Sequence, residues 1–265
     1  MDLTVPRIMG ILNVTPDSFS DGGDFVSVAR ALAHAGRMVA EGAAIIDVGG
    51  ESTRPGAEPV PEALEIERVV PVIEALAARV AVPISIDTSK PGVMRAAARV
   101  GAGMINDVFA LQAPEALSAA AETGLPVCLM HMQGQPRTMQ REPRYDDVMV
   151  EVIDFLRARV QACEQAGIAR RQLLLDPGFG FGKQLAHNLT LLAGLDRIAA
   201  LGLPLLVGLS RKSMLGALTG RAVRDRGAAE VAAAVLALAR GAAIVRTHEV
   251  SAIRDAVRVF AAVAA

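Results

Sequence analysis

The chain has 265 residues and a mass of 27.6 kDa, with 52% apolar residues, 21% charged residues and a formal net charge of −1. This composition excludes a disordered tail, a collagen-like fibre and a nucleic-acid binder working through bulk positive charge. No apolar stretch reaches the roughly 18 uncharged residues of a membrane span. Met1 to Arg7 lacks the basic start of a secretory signal, and Cys128 and Cys163 are too few for a disulfide framework. The expectation is a soluble, cytoplasmic, enzyme-sized globular protein with no nucleic-acid or membrane partner.

Short β-like apolar runs alternate with helical patterns from end to end. Arg7–Asn13 reads as a strand followed by a helix at Val26–Glu41, then Ala44–Gly49 by Glu62–Ala78, Pro83–Asp87 by Pro91–Val100, and Met104–Asp107 by Pro114–Glu122. The second half repeats the unit: Pro126–His131 with Tyr145–Ala166, Leu173–Asp176 with His187–Ala200, Leu203–Gly208 with Gly227–Ala239, and Ala243–His248 with Val250–Ala262. Eight such units, with strands apolar on both faces, predict an α/β fold of the (β/α)8 TIM-barrel type, about 250 residues in its usual form. A doubly wound sheet is the alternative. Gly42, Gly124 to Pro126 and Gly202 to Pro204 punctuate the alternation as helix stops and strand starts. No linker divides the chain, so residues 1–265 are read as one domain.

In either architecture, ligands bind beyond the carboxyl ends of the strands. Those ends are polar throughout. They hold Asn13; Asp47 with Glu51, Ser52, Thr53 and Arg54; Asp87 with Thr88 and Lys90; Asn106 with Asp107; His131 with Gln133; Asp176; Ser210, Arg211 and Lys212; and Arg246 with His248. One Asp or Asn after a strand is usually a helix cap, but a polar residue at every end is harder to explain that way and predicts convergence on one mouth. The loops Thr15–Gly23 (TPDSFSDGG) and Glu51–Gly56 (ESTRPG) have the composition of surface turns and equally of lids.

Three short motifs fail their tests. DPGFGFGK, Asp176–Lys183, has Pro177 where a P-loop needs its first Gly, and its glycines miss the dinucleotide spacing. It reads better as a flexible loop beside a ligand-binding carboxylate. GLSRK, Gly208–Lys212, has Lys where a nucleophile elbow needs its second Gly, which argues against Ser210 as a nucleophile. His34 and His187 fall in helical stretches, Cys128 falls inside a strand, and no zinc-type cluster appears.

Thr53, Arg54, Arg246, His248 and the run Ser210–Ser213 would ring the mouth with donors and positive charge, an anion site. Asp47, Asp87, Asp107 and Asp176 add carboxylates, which suits a ligand with one anionic and one donor-rich end. Asn13 offers an oxygen to a Mg2+ shared with a diphosphate, because Mg2+ commonly takes few protein ligands.

These residues resemble the dihydropteroate synthase family of pterin-binding (β/α)8 barrels over nearly the whole chain. The carriers are GILNVTPDSFSDGG (Gly10–Gly23), DVGGESTRPG (Asp47–Gly56), SIDTSK (Ser85–Lys90), IND (Ile105–Asp107), MHMQGQPRTMQ (Met130–Gln140), DPGFGFGK (Asp176–Lys183), GLSRKSMLG (Gly208–Gly216) and RTHEV (Arg246–Val250). Thr247, Glu249, Gln135 and Arg137 depart slightly from the family pattern. The resemblance implies a transferase of folate biosynthesis that joins 6-hydroxymethyl-7,8-dihydropterin diphosphate to 4-aminobenzoate, with Mg2+ as cofactor. Asp87, Asp176 and Lys212 are then catalytic. Asp176, Asn106 and Lys212 would read the pterin edge, with Asp87 on its reduced side. Thr53, Arg246 and His248 would hold the diphosphate and Asn13 the metal. Ser213 and the amino end of a helix starting there would meet the aminobenzoate carboxylate. Arg54, Pro55 and Phe19 would close over that substrate, and Phe181 completes the substrate-binding set.

A pterin-dependent methyltransferase, a Schiff-base aldolase using Lys212 and a non-catalytic pterin-binding paralogue are the rival readings. ESTRPG and the SRKS run argue against the first, the serines and Arg211 beside Lys212 against the second, and the retained metal and anion residues against the third. Gly227–Ala239 carries Glu230 as its one charge, so its apolar surface extends almost all round. An outer barrel helix needs only one buried stripe, and a homodimer through this helix and the last one is expected.

Overall fold

The strands are β1 (Arg7–Asn13), β2 (Ile45–Gly49), β3 (Ile84–Asp87), β4 (Met104–Asp107), β5 (Val127–Met130), β6 (Leu173–Asp176), β7 (Leu205–Gly208) and β8 (Ala242–Thr247). In this computed structural model, which describes residues 3–14, 24–53 and 56–264, they pair in chain order, all parallel, and β8 returns to β1 to close the barrel. The doubly wound alternative is excluded. The helices are α1 (Asp24–Glu41), α2 (Glu62–Ala77), α3 (Pro91–Arg99), α4 (Ala116–Thr123), α5 (Val148–Gln165), α6 (Leu185–Ala193), α7 (Leu195–Ala199), α8 (Ser213–Thr219), α9 (Gly227–Leu238) and α10 (Val250–Ala264). No helix among the described residues is long and apolar enough to cross a membrane.

Element boundaries shift from the expected ones for local reasons. Pro83, Pro126 and Pro204 precede their strands and only accept, from Ile46, Ile105 and Leu175, because proline has no N–H for the ladder. α4 starts at Ala116 rather than Pro114 because Glu115 is left-handed, with φ 62°. Asp147 stops α5 from extending back to Tyr145: its carboxylate accepts from the N–H groups of Met149 and Val150 as an N-cap. The helix expected at His187–Ala200 is two helices with Gly194 between them.

Successive strand residues point to opposite faces, and the register shows which go inward. Asp47 pairs with Ser85, Asp87 with Asn106, Asn106 with Cys128, Cys128 with Leu174, and Gly208 with Arg246. Met9, Ile45, Met104, Cys128, Leu174, Leu206 and Ile244 form a separate apolar cluster that fills the lower barrel, with Leu3 packed beneath. The opposite parity, including Ile46, Val48, Ile86, Ile105, Leu129, Leu175 and Val207, packs against the helices. The inside of the barrel is therefore dry at the amino end of the strands and polar at the carboxyl end.

Candidate active site

Asp47, Asn106, Asp176 and Arg246 occupy the inward positions one step above the apolar floor, and Asp87 the inward position above the buried Ser85, which is level with Asp47. Arg246 binds two carboxylates at once: its Nε donates to Oδ2 of Asp47 at 2.6 Å and its Nη2 to Oδ2 of Asp87 at 2.7 Å. The same Asp47 oxygen accepts Nδ2 of Asn106 at 3.1 Å. Four strands are thereby tied together across the barrel. This bond turns the Asn106 amide nitrogen toward Asp47 and leaves its carbonyl oxygen for another partner. Burial pushes the Asp87 carboxyl up to about 7, an effect that Arg246 opposes and the neighbouring carboxylates reinforce.

Asp176 ends β6 with 6% of its surface exposed. Its Oδ1 accepts the Gly178 N–H at 2.7 Å. Burial raises its carboxyl to about 6, against the pull of the Gly178 N–H and of Lys212. Lys212 lies opposite, its ammonium 4.0 Å from the centre of the Phe181 ring, and burial lowers it to about 8. A carboxylate and a compact cation with an aromatic wall thus sit within electrostatic reach of each other at the carboxyl end of the barrel.

The glycines of the loop after β6 serve close packing. Gly178, with φ 69°, and Gly182, with φ 59°, are left-handed, and a Cβ would lie 1.9 Å from the His131 carbonyl oxygen at the first and 2.3 Å from that of Gln133 at the second. Glycine is required there by close approach. Lys183, only 3% exposed, threads back through the loop: its Nζ donates to the carbonyls of His131, Gly178 and Phe181 at 3.2, 3.0 and 3.0 Å and lies 2.9 Å from Nδ1 of His131. His131 packs edge-on against Phe155, and burial first, then Lys183, drives its pKa down to about 3, so it stays neutral. Lys183 is thus the clamp that sets Phe181 beside Lys212. Its buried carbonyl partners are invisible in the sequence.

Several strand-end residues do not join the mouth. Asp107 has outward parity and caps its own loop, accepting from Ser89 Oγ and from the N–H groups of Phe109 and Leu111. Lys90 pairs with Glu51 and Glu65, while Glu51 also accepts the Val60 N–H at 2.9 Å. That pair fastens the loop after β2 to α2. Arg211, with φ 57°, turns outward to Glu249 at 2.9 Å, and Ser210 faces Glu230 and His248. The anion set is therefore smaller than the sequence suggested. Thr53 is half-buried at the end of a described stretch. Arg54, Pro55, Phe19 and the whole Thr15–Gly23 loop lie outside the described residues. Ser213 is exposed and opens α8, which has only seven residues, too short for a full helix dipole.

With this geometry in place, comparison with known proteins is decisive. Residues 9–248 match the family described as pterin binding enzyme. The chain belongs to the pterin-binding enzyme family. It is 57% identical over 259 residues to the dihydropteroate synthase of Escherichia coli strain K12, covering 98% of this chain and 92% of the relative. Among solved structures, the Xanthomonas albilineans dihydropteroate synthase with 4-aminobenzoic acid superposes with a TM-score of 0.95 at 55% identity, over 100% of this chain and 95% of that one. The same enzyme in complex with 7,8-dihydropteroate gives 0.91 at 52%, over 100% and 96%.

Proposed function

We propose that the chain is a dihydropteroate synthase that condenses 6-hydroxymethyl-7,8-dihydropterin diphosphate with 4-aminobenzoate, giving 7,8-dihydropteroate and diphosphate in folate biosynthesis. The observation that carries the reading is the Asp176, Asn106 and Lys212 arrangement above a dry floor. Asp176 accepts two adjacent ring donors, Asn106 meets the mixed edge and Lys212 donates to the ring carbonyl. Asp87 faces the reduced side of the ring. Thr53, His248 and the outer edge of Arg246 take the diphosphate, and Ser213 the aminobenzoate carboxylate. The experiment is direct: purified protein given both substrates and Mg2+ should yield dihydropteroate on chromatography, and no product would refute the assignment.

The order of bond changes follows from charge. The methylene carbon–oxygen bond breaks first, and its electron pair leaves with the diphosphate. The electron-rich reduced pterin spreads the positive charge, which the buried carboxylates Asp176 and Asp87 stabilise. The aminobenzoate nitrogen then forms the new bond to that carbon and loses a proton.

The donor set fits Mg2+. Asn13 ends β1 at the carboxyl end of the barrel, and its Oδ1 and the Oδ2 of Asp87 both flank Gly49, 3.8 and 3.7 Å from where a Cβ would stand. Asn13 would hold the ion through that one amide oxygen, the kind of hard oxygen ligand that Mg2+ takes. When bound, Mg2+ neutralises charge on the leaving diphosphate. Asn13→Ala is expected to raise the Mg2+ needed for half-maximal rate by roughly tenfold, the loss of one ligand worth about 1.4 kcal/mol. Titration calorimetry should show binding of a pterin lacking phosphate nearly unchanged.

A homodimer through α9 and α10 belongs to the same reading. α9 exposes Ala228, Ala232 and Leu236 along one stripe, and the adjoining α10 exposes Val259 and Val263. Sedimentation should find a dimer at micromolar concentration and a monomer for Leu236→Asp. The free, buried Cys128 and Cys163 support a reducing, cytoplasmic setting.

A further inference from the structure

Glu230 is the only charged residue of α9, yet it is 2% exposed and points at the barrel. Its Oε2 lies 3.0 Å from Ser210 Oγ and its Oε1 2.5 Å from Thr247 Oγ1. Ser210 Oγ in turn lies 3.0 Å from Nδ1 of His248 and 3.2 Å from the His248 backbone nitrogen. Thr247 Oγ1 also receives the Glu249 N–H at 2.9 Å. The network joins an outer helix to the residue at the anion end of the site.

The direction follows from counting protons with Glu230 ionised, the state that burial opposes and that its Thr247 and Ser210 donors favour. An ionised carboxylate only accepts, and each hydroxyl has one proton to give. Thr247 and Ser210 both give theirs to Glu230. Ser210 then has only lone pairs left for the two His248 nitrogens, so Nδ1 must carry a hydrogen. We propose that Glu230 and Ser210 are positioning residues that hold His248 in its Nδ1–H form. Nε2 is then the nitrogen whose protonation decides whether His248 donates to the diphosphate or accepts from its surroundings. The proposal rests on the reading of His248 as a diphosphate ligand, and gives that residue a fixed tautomer and a supporting shell on α9.

The test is the ring-nitrogen NMR spectrum of His248, assigned with His248→Gln in protein labelled at its four histidines. Above the pH at which the imidazolium loses its proton, the wild type should show a protonated Nδ1 and an unprotonated Nε2. Glu230→Gln is the informative variant. If its amide N–H faces Ser210, the serine proton is released toward Nδ1 and the ring must switch to the Nε2–H form. Ser210→Ala should give a mixture of tautomers and raise KM for pterin diphosphate roughly tenfold while leaving KM for aminobenzoate unchanged. Ser210→Thr, which keeps the hydroxyl, should restore both. An Nε2–H ring in the wild type, or the same tautomer in wild type and both Glu230→Gln and Ser210→Ala, would overturn the proposal. Inorganic pyrophosphate with Mg2+ separates the two levels: failure to shift the His248 signals would remove the diphosphate reading while the wild-type tautomer still decides the relay.

Discussion

Replacing Asp176 by Asn should weaken binding of a pterin lacking phosphate by roughly thirtyfold to a thousandfold, a loss of about 2–4 kcal/mol. The substitution preserves size, and Asn can still accept the Gly178 N–H through its oxygen. What it loses is the second acceptor, replaced by a donor that opposes the ring N–H groups. Turnover should fall further than affinity, because the missing negative charge matters more once positive charge develops on the pterin. The wild type carries an internal control. Burial holds the Asp176 carboxyl near 6, so pterin affinity should decline by up to tenfold per pH unit below about 6 as the carboxylate takes up a proton. Asp176→Asn should lack that decline. Calorimetric titrations of both proteins between pH 5 and 8 check the pair of expectations, and near-normal affinity in a folded Asp176→Asn would move the pterin anchor to Asp87.

The second large effect concerns stability. Arg246, 20% exposed at its side chain, is the shared partner of Asp47 and Asp87. Arg246→Met removes the cation and leaves buried carboxylates facing one another, which should cost about 3–5 kcal/mol in urea unfolding at pH 8. The deficit should shrink on acidification. Asp87 already sits above its ordinary value, at about 7, and rises further without the guanidinium. Between the unfolded value, near 4, and the raised folded value, the folded state holds more protons than the unfolded state, so stability falls as pH rises through that window. The variant has the wider window and therefore gains more than the wild type between pH 8 and pH 6. A deficit independent of pH would show that Arg246 acts through packing.

The barrel itself was legible because eight apolar runs each precede a helical pattern, and chain order then leaves little choice of topology. The polar strand ends were legible as a group, but not residue by residue. Counting alternate positions from Met104 puts Asn106 inside and Asp107 outside, and counting from Ile244 puts Arg246 inside and Thr247 outside. That parity was available in the sequence and separates ligand-facing groups from caps. Other features had no such signal. The Glu51, Lys90 and Glu65 cluster joins residues from two loops and a helix, and Lys183 finds its acceptors only once the loops after β5 and β6 meet. Glu230 read as a stray charge on an apolar helix, because the hydroxyls it serves lie on other elements. Pairings across elements are tertiary facts, and one sequence carries no periodicity that encodes them.

The central claim is that this mouth makes diphosphate leave a pterin and aminobenzoate take its place. The most direct measurement follows diphosphate release from pterin diphosphate with Mg2+, with and without 4-aminobenzoate, alongside dihydropteroate formation. The account predicts sustained release only when aminobenzoate is present, one diphosphate for each dihydropteroate. A protein that binds the pterin diphosphate but releases none of it in either condition would contradict the account.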